Sequence, residues 1–345
     1  MKAIVQGRYG APGDVLRLQD IDEPLVDDDA VLVRVRATSV NPADWHLIRG
    51  NPYIARLQFG LRRPKDAVAG CDVAGHVEAV GSGVSRLRPG DEVLGCPFGR
   101  GLGTFAERVC ISEDRVAVKP ANLSFDQAAA VPLAALTALQ GLRDHGAVKP
   151  GHRVLIIGAS GGVGTFAVQI AKCLGAEVTG ACSTRNVDLV RSIGADHVID
   201  YRRQDVIEAG LRYDVIFQIA GTLSPSDCRR ALTARGTLVL ISGDSDGNWI
   251  GPVGRTIKAL ALSPFVGQKL TSFLLKPNAE DLQYLASLIE DGRVTPVIDR
   301  TYSLSEVPEA LGYLEAGRAR GKVVIAVGSC GRSSPNARPV SVQPK

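Results

Sequence analysis

The sequence predicts an α/β protein: a doubly wound parallel sheet with a second, β-rich unit beside it. Three observations carry this. Residues 153–164 pass from an apolar run through a glycine-rich turn into a helical pattern. Strand-like and helix-like segments then alternate to about residue 294, the pattern of a parallel sheet. The first 120 residues instead carry strand signals parted by glycine and proline turns. At 345 residues the chain is long for one domain and suits two.

Taken in order, Ala3-Ile4-Val5 opens the β-rich unit, followed by Ala30 to Arg36, Gly75 to Gly81 and Asp91 to Gly95. Gly99-Arg100-Gly101-Leu102-Gly103 is glycine-rich, but neither flank supplies a strand and a helix, so it is discounted as a phosphate site. Val154 to Ile157 is the wholly apolar run expected of a strand covered on both faces. Thr165 to Leu174 repeats its apolar residues at helical spacing, Gly175 closes that helix, and Glu177 to Cys182 reads as the next strand. Further strands are His197 to Tyr201, Tyr213 to Ala220 and Thr237 to Ser242. The last stretch holds a strand at Val297-Ile298-Asp299, an amphipathic helix from Ser305 to Arg318 and a strand from Gly321 to Ile325. The expected units are 1–124 with 295–328, then 125–294. The Ser-, Pro- and Arg-rich tail 329–345 is expected to be disordered.

Strand, glycine turn, helix and strand together set a pyrophosphate on a helix N-terminus. Ser160-Gly161-Gly162-Val163-Gly164 is the turn: Gly161 and Gly162 admit the phosphates, and Gly164 lets helix and strand pack closely. Ala159 stands where the usual pattern has its first glycine, and an ordinary tight turn is the competing reading. The second strand ends in Ser183, Thr184 and Arg185 with no carboxylate at its tip. Two hydroxyls and a guanidinium suit a 2′-phosphate, which an acid there would repel, so NADPH is expected over NADH.

Composition excludes other classes. Hydrophobic residues make up 45% and charged residues 22%, as in globular proteins. A net charge of +4 without a dense basic stripe argues against nucleic acid. No apolar run reaches membrane-spanning length, and no signal or transit pattern is read at the N-terminus. Seven scattered cysteines without a Cys-x-x-Cys pair read as free thiols in a reducing cytoplasm.

In this order, six segments resemble the medium-chain dehydrogenase/reductases, in their zinc-free quinone oxidoreductase branch. They are Asn41-Pro42-Ala43-Asp44, Gly70 to Gly75, Val131-Pro132 through Thr137-Ala138, Gly158 to Gly164, Gly194 to Tyr201 and Gly321-Lys322-Val323-Val324. The resemblance covers nearly the whole chain. It implies a partly open, GroES-like barrel domain for the β-rich unit and a Rossmann domain after it, with the chain returning to finish the first. The zinc branch carries a cysteine within the Asn41–His46 segment and a His-Glu pair where this chain has Cys71-Asp72, so no metal is expected.

Further roles follow from the resemblance. Asn41 and Asp44 would line the cleft by the nicotinamide, although Asn, Pro and an acid in this order also make a good helix start. Tyr53 is a candidate proton donor, with packing as the alternative. Thr137 would lie by the nicotinamide and Tyr201 by the adenosine. Ile219 and Ser242 would stand at the ligand-binding ends of later strands, and Lys322 would reach the cofactor from the returning segment. The expected activity is NADPH-dependent, zinc-independent hydride transfer to a quinone or α,β-unsaturated carbonyl. A pathway-specific enoyl or carbonyl reductase of the same fold and a non-enzymatic NADPH-binding protein are the alternatives. The expected partner is a small-molecule substrate, and a homodimer is compatible with this. The short-chain dehydrogenase class is excluded, because no tyrosine has a lysine four positions later.

Overall fold

The computed structural model describes residues 1–241 except 208, 209 and 222, then 254, 259, 263 and 266–328. The expected disordered tail 329–345 and Ser242 lie outside the described residues.

Six strands form one wholly parallel sheet. Their spatial order is His197–Asp200, Glu177–Cys182, Arg153–Ile157, Tyr213–Gln218, Leu232–Leu240 and Lys269–Ser272. Chain order reverses between Arg153–Ile157 and Tyr213–Gln218, so their C-terminal ends open a crevice at the switch point. Val154, Leu155 and Ile156 are fully buried, as a strand covered on both faces requires. The helix Gly162–Cys173 follows it, and Gly175 (φ +80°) turns the chain back toward Glu177–Cys182.

Seven strands form the second sheet. Ala30–Val40 is its long central member, pairing antiparallel with Val73–Val80, Arg108–Ser112 and Lys322–Ala326. Glu92–Gly95 and Val116–Val118 extend one side, and Ile298–Ser303 closes the other, parallel to Lys322–Ala326. The returning segment thus completes the sheet begun near the N-terminus. Its first strand runs Ile298–Ser303 rather than from Val297 to Asp299. Its helix is Val307–Glu315, shorter than the expected Ser305 to Arg318. Pro308 near the helix start and Gly317 (φ +65°) just past its end account for those limits.

The helix Pro132–Gln140 joins the two layers, and all nine of its residues are buried. One apolar cluster runs from Leu94 and Val324 of the second sheet through Leu136 and Leu139 to Val154 of the first sheet and Phe166 of the helix that follows it. This shared core fixes the crevice between the sheets.

Candidate functional site

The glycine turn is built by close approach. A Cβ on Gly164 would stand 2.1 Å from the Gly158 carbonyl oxygen, so only glycine lets this helix pack on the strand end. Ala159 is tolerated because Gly180 lies opposite it. The Ala159 methyl would come within 3.0 Å of a Cβ there, so the missing side chain has moved to the neighbouring strand. Gly161 precedes the helix in extended backbone, and no side chain caps the helix start. The free N–H groups and the helix dipole are left for an anion. The turn is also tied to the other sheet: Gly321 N–H donates to the Ser160 carbonyl at 2.9 Å, and Gly161 and Gly321 form a parallel bridge. Val163 is partly buried against the core beneath. A dinucleotide pyrophosphate fits this cradle.

Beyond the second strand, Asn186 is buried and its amide nitrogen donates to the hydroxyls of Ser160 (2.9 Å) and Ser183 (3.2 Å). Its carbonyl Oδ1 is buried with no hydrogen-bond partner, one acceptor left open at this site. Thr184 and Arg185 are exposed. Arg185 donates to the Arg318 carbonyl at 3.0 Å, which leans its guanidinium across to the returning segment. The sequence reading missed Asp200, from the next strand. Its carboxylate accepts Arg202 N–H at 3.0 Å and pairs with Arg203 at 3.5 Å. Tyr201 is about half exposed beside Arg202, and Ile219 N–H is bonded to the Ile157 carbonyl at the crevice.

The most constrained chemistry lies under the turn. Asp72 is wholly buried and both its oxygens accept hydrogen bonds. Its Oδ2 accepts from the Ser39 hydroxyl, the Asn41 amide (2.9 Å) and the Lys322 ammonium (3.1 Å). Its Oδ1 accepts Leu133 N–H at 2.7 Å, which places a carboxylate at the start of the helix Pro132–Gln140. Lys322 also donates to the side-chain amide oxygen, Oδ1, of Asn41 at 2.5 Å. The lysine stem passes the glycine turn, with Cδ 3.0 Å from where a Gly162 Cβ would stand. Ser39, Asn41, Asp72, Leu133 and Lys322 are thus drawn to one point beside the phosphate cradle. Asn41 serves both expected readings, since it also precedes the helix Pro42–Arg49 as its N-cap residue.

Asp44 lies next to this cluster, fully buried, with Oδ2 accepting Asn41 N–H at 2.7 Å and Oδ1 unpartnered. Burial pushes its carboxyl up to about 7; the neighbouring Asp72 carboxylate adds to this, and the Cys71 thiol opposes it. The unfolded carboxyl loses its proton near 3.8. The folded state therefore binds the extra proton across that interval, and its stabilising effect is lost as pH rises through about 7. Asp44→Asn, which stays neutral, should show a smaller loss of unfolding free energy between about pH 5 and 8 than the parent. Denaturant unfolding at stepped pH checks this, and parallel curves would refute it.

Thr137 is buried in the central helix with its hydroxyl donating to the Leu133 carbonyl at 2.7 Å. Tyr53 lies past the far end of Pro42–Arg49, its ring beneath the Arg56 guanidinium at 4.4 Å. It is not part of the Asn41–Asp72–Lys322 cluster. His46 stacks on Trp45 at 3.7 Å.

The donor set does not suit zinc, which takes thiolate, neutral imidazole or an available carboxylate. Burial, with the neighbouring Asp44 and Asp72, holds the Cys71 thiol well above the usual thiol range. Both Asp72 oxygens are already taken. No group of three His, Cys, Asp or Glu suited to a metal occurs among the described residues.

The parallel sheet, the reversal of strand order and the uncapped glycine-turn helix define a dinucleotide-binding α/β fold with a second sheet closing on the crevice. Residues 27–121 match the family described as alcohol dehydrogenase GroES-like domain, and residues 193–325 match the zinc-binding dehydrogenase family. The chain is 32% identical to a chloroplast envelope quinone oxidoreductase homolog of Arabidopsis thaliana, over 94% of this chain and 98% of that one. It is 34% identical to an NADPH-dependent alkenal/one oxidoreductase of the same plant, covering 94% and 79%. Among solved structures it resembles the Escherichia coli quinone oxidoreductase complexed with NADPH, with TM-score 0.78 and 27% identity over 94% and 100% of the chains. The chain belongs to the quinone oxidoreductase-like branch of the medium-chain dehydrogenase/reductases and is an oxidoreductase. Among the described residues no helix is long and apolar enough to cross a membrane.

Proposed function

We propose that this chain is an NADPH-dependent reductase that passes hydride to a quinone or an α,β-unsaturated carbonyl without a metal. The observation that carries the reading is the Asp72–Lys322–Asn41 cluster beside the glycine turn. It puts a lysine-neutralised carboxylate where zinc-dependent relatives keep ligands. The names and NADPH dependence of the relatives support the acceptor class and the cofactor. When bound, the nicotinamide supplies the hydride. Lys322 holds a cation at the phosphate cradle, and Asn41, oriented by Lys322 and Asp72, faces the same crevice with Asp44 behind it. Thr137, Tyr201, Ile219 and Ser242 complete the cofactor set, and Tyr53 or water returns the proton. An acceptor already polarised by conjugation does not need the Lewis acid that alcohol oxidation uses.

The division into 1–124 with 295–328 and 125–294 belongs to this proposal and follows sheet membership. So does a cytoplasmic location, supported by six free cysteines among the described residues.

NADPH carrying deuterium at the transferred position should label the acceptor carbon of an enone product, and turnover should survive exhaustive chelation. Tight NADPH binding with no oxidation by any quinone, enal or enone would overturn the reading, and zinc-restored activity would overturn its metal-free part.

Arg185→Ala should weaken NADPH about ten-fold and leave NADH nearly unchanged, since one charge-assisted bond is worth roughly 1.5–3 kcal/mol. Fluorescence titration of both cofactors decides it. Equal weakening would remove Arg185 from the 2′-phosphate site.

A further inference from the structure

We propose that the surface of residues 54–65 is a docking face for an anionic lipid bilayer. Ile54, Leu57 and Leu61 are 53%, 73% and 66% exposed, three large apolar side chains within eight residues. The stretch 51–65 also holds Arg56, Arg62, Arg63 and Lys65, and no acid. Arg62, Arg63 and Lys65 are exposed. Neither the Arg62 nor the Arg63 guanidinium enters an ion pair among the described residues. Apolar side chains interleaved with free cations match a membrane interface, where the leucines enter the acyl boundary and the arginines meet headgroup phosphates.

The leucines do not face water because the loop is slack. Its inner side is fastened at several points. Tyr9 donates its hydroxyl to the Gly60 carbonyl at 2.6 Å. Arg56 donates to the Gly50 carbonyl at 2.8 Å and lies over both the Tyr9 and Tyr53 rings. Lys65 N–H closes the outer turn on the Phe59 carbonyl at 2.8 Å. Gly60 has φ +120°, and a Cβ there would meet the Arg63 carbonyl at 2.0 Å, so the turn is tight and specific. A built turn that holds leucines outward needs an apolar partner.

A second copy of the chain is disfavoured as that partner. A two-fold contact would bring Arg62, Arg63 and Lys65 of both copies into one patch, with only Asp66, half-buried beside Lys65, to answer them. The anionic bilayer satisfies both the apolar and the cationic character. The face follows, by a short link, the helix Pro42–Arg49 that Asn41 caps. If the acceptor is a lipophilic quinone or enal, as proposed above, docking by this face brings the enzyme to the phase in which it dissolves.

Flotation with phosphatidylcholine vesicles, with and without phosphatidylglycerol, tests the docking on the full chain. The protein should float only with the anionic vesicles and should be released by high salt. Leu57→Ser with Leu61→Ser, and separately Arg62→Glu with Arg63→Glu, should each weaken flotation about ten-fold or more. Both variants should keep NADPH oxidation with a water-soluble quinone and lose about ten-fold with a long-chain quinone dissolved in the vesicles. Absence of flotation, or flotation unchanged by the charge reversal, overturns the proposal. So does a sedimentation-velocity result in which the serine variant splits an oligomer, which would assign the face to a second copy. Should no acceptor oxidise NADPH, the function proposed above fails while flotation still decides the docking.

Discussion

Gly162→Val is expected to abolish cofactor binding while leaving the fold nearly as stable as before. The helix Gly162–Cys173 starts without a side-chain cap, and its first N–H groups are free to meet the pyrophosphate. A Cβ on Gly162 would stand 3.0 Å from Lys322 Cδ and at an ordinary 3.6 Å from the Gly321 carbonyl oxygen, so a shift of a few tenths of an ångström in the lysine stem, with its ammonium still on Asp72, accommodates it. Valine adds two methyl groups, which fill the phosphate approach in front of the helix start. Losing two charge-assisted bonds at roughly 1.5–3 kcal/mol each corresponds to about 10²–10⁴-fold in affinity. Titration of NADPH fluorescence measures this, and denaturant unfolding checks the fold. The neighbouring Gly164→Val should behave differently: its Cβ would strike the Gly158 carbonyl at 2.1 Å, so that change should unfold the domain. Affinity within about ten-fold of the parent for Gly162→Val would remove the turn from the phosphate site.

That contrast shows which parts of the molecule the sequence makes legible. Strand, turn and helix are local, and Val154 to Gly164 displays them in consecutive residues. The substitution of Ala159 for glycine is puzzling along the chain, because its compensation, Gly180, lies on the adjacent strand. The Asp72 cluster is less legible still. It gathers residues from four separate stretches of the chain, around 39–41, 72, 133 and 322, and each has a simpler local explanation. Asn41 reads as a helix cap, Lys322 as a strand residue and Asp72 as a departure from a zinc pair. Only the antiparallel pairing of Val323 with Val40 brings the returning lysine beside the asparagine. Asp200 is hidden for a similar reason: it ends the third strand, whereas cofactor choice is ordinarily set at the tip of the second. Tyr53 is a candidate through the family resemblance, and its ring also packs beneath the Arg56 guanidinium, a contact no local pattern announces.

Lys322→Met should separate the structural and functional parts of the buried cluster. Removing the ammonium leaves Asp72, which is fully buried, as an unanswered charge, and breaking such a pair costs about 3–5 kcal/mol. The double variant Lys322→Met, Asp72→Asn removes both charges. The intact buried pair contributes little net stability, so the double variant should recover most of the loss. The amide retains an oxygen to accept Leu133 N–H, keeping the start of the central helix in place. Cofactor affinity should not recover in the same way. Lys322 lies against the glycine turn, and methionine offers the phosphates no cation in either variant. Unfolding free energy and NADPH affinity should therefore part company: low and low in the single variant, near the parent and low in the double. If affinity returned together with stability, Lys322 would act on the cofactor only by holding the fold. If the single variant were as stable as the parent, the Asp72 carboxylate would have to shed its charge or reach water. The pairing at 3.1 Å would then not govern this part of the crevice.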